Sequence, residues 1–556
     1  MASQLDPPAD LTLVGGMVIT VNPHDEVVEA VAIRGNRIAA VGSRADVEPL
    51  CGPQTRVIDL QGRCALPGFV DNHIHMINSP RRSWLDVQPE AVSSIEEIKV
   101  LVAQRARETP PGQWVLGAGY QPERLREGRH PTRHDLDPVA PDHPVGFRHR
   151  SGMAWTFNTA GLRRIGVQDD TPDPPGGPMQ RDARGVPLGP MADNTRTAFI
   201  LPNLPRATED DLVEGYRWMG RELNRHGVTS AFEASIRSRE EVAAWGRLRR
   251  EGGLTLRVNL GPYPLYGSDW TREGAAAKVF EAGLYTGFGD EWIRLGSLTY
   301  GVDGDPMGPH SALFEPYTND PKGQYRGSFR VTPETAEAFS LAGHAGGWQI
   351  SAVCFGDHGL TVAVDAIERA MRAHPRPDPR HRLEHAHLWN ASLLRRVAEL
   401  GIVWNFQPAL MAGLGRWGTV EAWGPERARY GFPVKSALEH GIVVSGGSDW
   451  PVDPLDPLVG IHALVTRRLE PLEDGDVLVP EEAVSVLEAI RIYTYNSAYT
   501  AFEEGIKGSL EVGKLADVTV LSEDILAVPA DRIRDLRTSL TILDGKVVYR
   551  AEGFAS

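Results

Sequence analysis

The sequence predicts an α/β protein: a (β/α)8 TIM barrel of parallel strands carrying a small β-sandwich domain formed by both chain ends. Three observations lead there. An amphipathic helix, a glycine stop and a short β-branched run recur as a unit through the middle of the chain. Both ends carry short strands joined by tight turn signals instead. Polar, metal-competent side chains gather where the barrel strands would run out. At 556 residues the chain has room for such a barrel and a further domain.

The elements follow in chain order. In "DLTLVGGMVITV" and "VEAVAIRGNRIAAVGS" β-branched residues alternate with turn signals, and Gly35-Asn36 reads as a hairpin turn. "LADVTVLS" and "SLTILDGKVVYR" repeat that pattern near the far end, with Asp544-Gly545 as the turn. Neither end has enough strands to bury a face alone. Residues 1–66 and 506–556 are therefore expected to pair into one sandwich, leaving residues 67–505 for the barrel and an insertion.

Inside the middle segment, "SSIEEIKVLVAQRARE" opens on a Ser94-x-x-Glu97 capping box and keeps Ile95, Ile98, Leu101 and Val102 on one helical face. The recurring unit appears in "YRWMGRELNRHGVTSAFE", "LLRRVAELGIVWNFQP" and "VKSALEHGIVVSGGSDW", where Gly227, Gly401 and Gly441 sit at left-handed helix ends. Thr332-Pro333 opens a further helix whose strand is "GGWQISAVCF". Helices alternating with strands mean parallel pairing through crossovers. No G-x-G-x-x-G follows the first strand, which favours a barrel over an open dinucleotide-binding sheet.

Composition narrows the function. The 58 basic against 73 acidic residues give a charge of −15, which weighs against nucleic acid as a partner. Cys51, Cys64 and Cys354 are too few and too widely spaced for a disulfide framework or a cysteine zinc site, so a reducing compartment is expected. "MASQLDPPAD" lacks the basic and apolar regions of a secretory signal, and no apolar run is long enough to span a bilayer. The expectation is a cytoplasmic protein acting on a small molecule, away from membranes, with a homodimer allowed.

Chemistry concentrates in "LPGFVDNHIHM". His73 and His75 lie two residues apart at a strand end, so both imidazoles face one side. Two neutral imidazoles there are a ligand pair for zinc or iron(II). Glu233 ends "GVTSAFE", His385 and His387 stand in "RLEHAHL", and Asp449 ends "IVVSGGSD". Barrels place their active sites at C-terminal strand ends. Metal-assisted hydrolysis needs this kit of histidines and a carboxylate.

The series "VIDLQGRCALPGFVDNHIHM", "GVTS", "VDGDP", "ALFEPY", "GWQ", "EHA", "QP", "GSDWPVDPLDPL", "IYTYNSA" and "GSLEVGKLADVTVL" spans nearly the whole chain. In that order it resembles the amidohydrolase superfamily, in particular its YtcJ-like (amidohydrolase 3) branch. The resemblance implies a divalent transition metal, zinc or iron, held by His73, His75, His385 and Asp449, with Asp449 accepting a proton from the attacking water. It also exposes departures. The family's bridging lysine falls on Thr299, its fifth-strand histidine on Val353, and a histidine near its second strand on Met153. Glu233 is the foremost replacement ligand, followed by His387 and His358, with His310 and Cys354 as further candidates. One ion is expected, and a second only if Glu233 bridges.

The function expected is a metal-dependent hydrolase cleaving an amide, ester or thioester carbonyl bond of a bulky, largely apolar small molecule. Trp155, Trp404 and Trp450 are the candidates for lining its pocket. Two other readings use the same fold: a mononuclear-metal lyase or isomerase, and a metal-degenerate binding protein. Retention of His73, His75, His385 and Asp449 together favours an enzyme, because folding does not require them.

Overall fold

Strand pairing joins the two ends of the chain. The computed structural model describes residues 7–89, 91–152, 154–174, 177–192, 195–264, 271–279, 283–304, 310–472 and 475–554. Cys64–Pro67 and Met17–Ile19 share a six-stranded sheet with Val518–Leu521, Thr538–Leu543 and Lys546–Arg550. Val518 lies opposite Pro67 and Val520 opposite Ala65, in antiparallel register. A four-stranded sheet of Arg37–Gly42, Ala30–Arg34, Leu11–Val14 and Arg56–Asp59 completes this region. Leu13, Val31 and Ile33 of the second sheet share one buried cluster with Ala65, Val518, Leu540 and Ile542 of the first. Both predicted hairpin turns form, and they meet: Asn36 Nδ2 donates to Asp544 Oδ1 at 3.1 Å. Gly545 (φ +73°) leaves no room for a side chain, since a Cβ there would stand 2.0 Å from the Gly35 carbonyl oxygen.

The chain then changes partners within one residue. Pro67 pairs with the end sheet, whereas Phe69–Ile74 pairs in parallel with Val228–Ile236. Gly68 lies between them, and a Cβ there would meet Thr229 Oγ1 at 2.2 Å. Val228–Ile236 continues in parallel to Arg257–Pro262 and then Ile293–Leu295. A second parallel sheet runs Leu298–Gly301, Ile350–Cys354, Arg382–His385, Val403–Phe406 and Val444–Gly446. The strands Phe69–Ile74 and Val228–Ile236 are buried at every position, the signature of strands covered on both faces. Asp449 N donates to the His73 carbonyl at 2.7 Å, so the residues after the last strand hydrogen-bond to the first.

Helices Glu209–Arg225, Arg239–Arg250, Pro333–Ala345, Asp357–Ala373, Ala391–Glu399 and Val434–Glu439 separate these strands. Gly227, Gly401 and Gly441 all adopt positive φ at the helix ends where the sequence places them. Thr332 caps its helix by accepting from Thr335 N, with Pro333 in the first turn. Among the described residues, no helix is long and apolar enough to cross a membrane.

Residues 78–215 form a separate compact unit, and residues 1–77 with 216–556 form the other. The separate unit is built on a mixed six-stranded sheet in which Leu85–Asp86, Val115–Tyr120 and Val145–His149 run parallel and Ala154–Phe157 returns antiparallel. Its helix Ile95–Glu108 begins at Ser94, whose side chain accepts from Glu97 N, while Glu97 reaches back to Ser93 N. Trp155 belongs to this unit and packs its ring flat against Phe157 at 5.7 Å.

Candidate metal centre

The strand Phe69–Ile74 delivers His73 and then His75, as the two-residue spacing predicts. Their rings lie edge to face with centroids 5.2 Å apart. His75 Nε2 is 2.9 Å from Asp449 Oδ1, and His73 Nε2 is 3.6 Å from the same oxygen. Among the described residues, His73, His75 and Asp449 are the one group of histidine, cysteine or carboxylate side chains whose donor atoms all lie within 4.8 Å of one another. Asp449 reaches this position with a left-handed backbone, φ +55°. Asp71 secures the turn: its carboxylate accepts from Ser448 N at 2.9 Å and Ser448 Oγ at 2.6 Å.

The other ring nitrogens are already engaged. His73 Nδ1 is 2.8 Å from Glu384 Oε2, and His75 Nδ1 is 2.8 Å from Ser235 Oγ. A carboxylate can only accept, so His73 carries its proton on Nδ1 and keeps the Nε2 lone pair for a ligand bond. Glu384 is held in turn by Arg382 Nε at 2.6 Å, Ser351 Oγ at 2.7 Å and Asn405 Nδ2 at 2.6 Å. Burial alone would raise its pKa. The Arg382 charge and the hydrogen bonds from His73 and Ser351 outweigh burial and hold the carboxyl well below the usual range. Sequence reasoning singled out "EHA" as a motif but gave its glutamate no role.

His385 ends the neighbouring strand with φ +68°. Its ring centroid lies 4.9 Å from that of His73 although it lies outside the His73–His75–Asp449 group, and its buried Nδ1 has no hydrogen-bond partner among the described residues. Three imidazoles and one carboxylate, with the buried Nδ1 of His385 left unpaired, fit the donor set of a divalent transition metal. Thr299 and Val353 are both buried at their strand positions and offer no metal-competent group. Met153 lies outside the described residues.

The replacement candidates divide. Glu233 is fully buried, but its oxygens accept from Ile77 N at 2.9 Å and Ser235 N at 3.2 Å, and it lies outside the His73–His75–Asp449 group. Burial, then the nearby Glu241 charge, push its carboxyl up to about 8 against those two donors. His387 is buried between Phe355 and Phe432, and neither ring nitrogen has a partner. His358 stacks on Phe314 at 4.3 Å, and His310 Nδ1 is 2.6 Å from the Tyr325 hydroxyl. Cys354 is buried in its strand, and burial raises its thiol well above the ordinary value, which disfavours the thiolate a metal needs. Trp404 is completely buried on Trp389 and Phe406 and donates Nε1–H to the His385 carbonyl at 2.8 Å, so it steadies that strand end. Trp450 is half-buried beside Asp449 and near Trp218.

The chain is similar to known proteins over nearly its whole length. The amidohydrolase family model matches residues 56–549. The chain is 28% identical to a putative amidohydrolase, YtcJ, of Bacillus subtilis, covering 96% of this chain and 98% of that one. It is also 28% identical to an N-substituted formamide deformylase of Arthrobacter pascens, covering 98% and 99%. An uncharacterised metal-dependent hydrolase from Pyrococcus furiosus superposes with a TM-score of 0.71 at 25% identity, over 93% of this chain and 99% of that one.

Proposed function

This chain belongs to the amidohydrolase family, and from that premise we propose that it is a (β/α)8-barrel enzyme, with a β-sandwich formed by its chain ends, that hydrolyses a carbonyl bond in a bulky, largely apolar small molecule. An amide bond is preferred over an ester or thioester. One observation carries the reading: His73 and His75 both turn Nε2 toward Asp449 while Glu384 and Ser235 occupy their Nδ1 atoms.

His73, His75, His385 and Asp449 would hold one divalent transition metal, zinc or iron. When bound, such an ion supplies Lewis acidity, which makes water a stronger acid and a carbonyl a better electrophile. The residues do the rest. Glu384 and Ser235 fix the rotation of the two imidazoles, so no ordering is left for the moment of reaction. The free oxygen of Asp449 accepts the proton released by the attacking water and can return it to the leaving nitrogen. Trp450, half-buried beside Asp449, gives an apolar wall for the acyl or amine substituent. Glu233 stays with its two backbone donors, which leaves a second ion without a bridging carboxylate.

Three measurements test this. Elemental analysis is expected to find one metal per chain in the wild type and one in Glu233→Gln; two falling to one would establish a glutamate bridge, and two in both would show the ligands misplaced. Asp449→Asn is expected to lower kcat by about 10²–10⁴-fold without loss of fold. Full activity in that variant would remove Asp449 from the reaction. Hydrolysis in labelled water places one solvent oxygen in the product acid, which separates it from lyase chemistry.

A further inference from the structure

Gln407 is completely buried, and both its amide nitrogen and its amide oxygen lack a hydrogen-bond partner among the described residues. Buried primary amides rarely leave both ends unmade, because each missing bond destabilises the fold. The position explains the exception. Asn405, two residues earlier, points its side chain inward to Glu384 and Ser445. The backbone at Gln407 is extended (φ −114°, ψ 98°), so its side chain repeats that direction one layer nearer the C-terminal strand ends. The flanking strands end in His385 on one side and, after Gly446, in Asp449 on the other. His387, three residues past Glu384 on the neighbouring strand end, likewise has two orphaned ring nitrogens. Gln407 and His387 thus follow neighbouring strands, and the His387 ring lies 5.9 Å from that of His385; the hydrolytic step uses neither group.

We propose that Gln407, with His387 on the adjacent strand end, is a substrate-recognition subsite for a neutral group carrying both an N–H donor and a C=O acceptor, an amide or a urea. The inference rests on the hydrolase reading and narrows its substrate class. Where the substrate holds N–H and C=O on the same side, as in a primary amide, a lactam or a urea, Gln407 Nε2–H can donate to the carbonyl while Oε1 accepts from the N–H. An ester or thioester offers acceptors alone, which leaves Oε1 buried against another oxygen. A carboxylate brings a charge that the neutral amide of Gln407 cannot offset. Sites built to pair a substrate donor reject the analogue lacking it, because their own polar group stays unpaired.

The test uses metal-loaded wild type and Gln407→Leu with two cyclic probes, 3,4-dihydroisoquinolin-1(2H)-one and isochroman-1-one, a lactam and a lactone that differ at one N–H, held by the ring on the same side as the C=O. Binding is followed by calorimetry and product formation is assayed in parallel. The wild type is expected to bind the amide about 10-fold or more tightly than the ester. In Gln407→Leu that preference is expected to fall to within about 2-fold. The variant is expected to melt at the same or a higher temperature, because it exchanges an unsatisfied amide for an apolar side chain. Equal binding of both probes to wild type, failure of wild type to bind the amide, or a preference retained in the variant would each overturn the subsite. A variant that melts clearly lower would also overturn it, by showing that the amide is satisfied within the fold. Hydrolysis without any amide preference would sink the subsite and leave the hydrolase standing. A Gln407-dependent preference without hydrolysis would support the subsite and count against the hydrolase.

Discussion

Glu384 is the residue on which the candidate centre depends most, although it would touch no ion itself. It is completely buried, yet remains a carboxylate because Arg382 donates to one oxygen and His73 faces the other. Glu384→Gln would remove that charge and leave the Arg382 guanidinium, 1% exposed, without an anion. The expected cost is about 3–5 kcal/mol of stability, the usual consequence of breaking a buried pair from one side. Metal affinity is expected to fall about 10–100-fold, because the partner that fixes the His73 ring is weakened. Chemical denaturation of the metal-free protein and chelator competition measure the two effects separately. Ser235→Ala gives the contrast: a smaller loss of metal affinity and little loss of stability. Equal metal affinity in wild type and both variants would show that these contacts do not orient the ligands. At this scale the sequence gives the ligands and hides their supports. H-x-H spacing suggests a ligand pair and the family resemblance adds the strand-end aspartate, whereas the partner of His73 lies 311 residues away, and no local pattern tells which face of its strand that glutamate takes.

Among the elements, the strands Ile350–Cys354 and Arg382–His385 are anchored at their N-terminal ends by a chain of neutral histidines. Ile350 N donates to His381 Nδ1 at 2.9 Å, His381 Nε2 lies 2.9 Å from His344 Nδ1, and His344 Nε2 lies 2.7 Å from the His374 carbonyl. Each link assigns a proton, and an added proton leaves a donor facing a donor. Burial, then the charges of His344 and Arg376, push His381 well below its ordinary value. His344 is lowered as well, first by burial. The sign follows from linkage. Above pH 6.5 both residues are neutral whether folded or unfolded, and the contribution to stability is complete. As pH falls below 6.5, the unfolded chain takes up protons that the folded chain refuses, so stability declines. Urea titrations from pH 8 to 5 are expected to show a loss approaching about 1.4 kcal/mol per pH unit for His381, with a smaller addition from His344 in the same direction. His381→Gln should flatten that slope by up to one proton; an unchanged slope would place the sensitivity elsewhere. Helix–glycine–strand units were legible here because glycine stops and β-branched runs are local signals. The histidine chain was not, since His381 meets partners 31 and 37 residues away that no local pattern pairs with it.

At the scale of the molecule, the sequence allows the union of the two chain ends to be read, but not the separate unit formed by residues 78–215. Hairpins that cannot bury a face alone must find each other. Inside a long α/β region, by contrast, a strand such as Val115–Tyr120 carries the same local signals whichever sheet it joins. What ties the end sheets to the parallel strands is a buried ion cluster. Arg257, 1% exposed at the start of its strand, donates to Asp517 at 2.8 Å and 3.2 Å and to Asp544 at 3.1 Å, with its guanidinium against Trp292. Asp517 precedes the first C-terminal strand and Asp544 sits in the last hairpin turn, so one arginine holds both to the strand Arg257–Pro262. Arg257→Met keeps the length of the side chain and removes the charge, leaving buried Asp517 and half-buried Asp544 without their cation. It is expected to destabilise by about 3–5 kcal/mol, and Arg257→Met with Asp517→Asn should recover part of that loss because less charge stays uncompensated. The ligands stand at the opposite ends of these strands, so chelator competition should show metal affinity within about 3-fold of wild type. A single variant that melts with the wild type would mean the end sheets are held by their apolar core alone. One that loses metal affinity as well would mean the chain ends and the candidate centre are energetically one body.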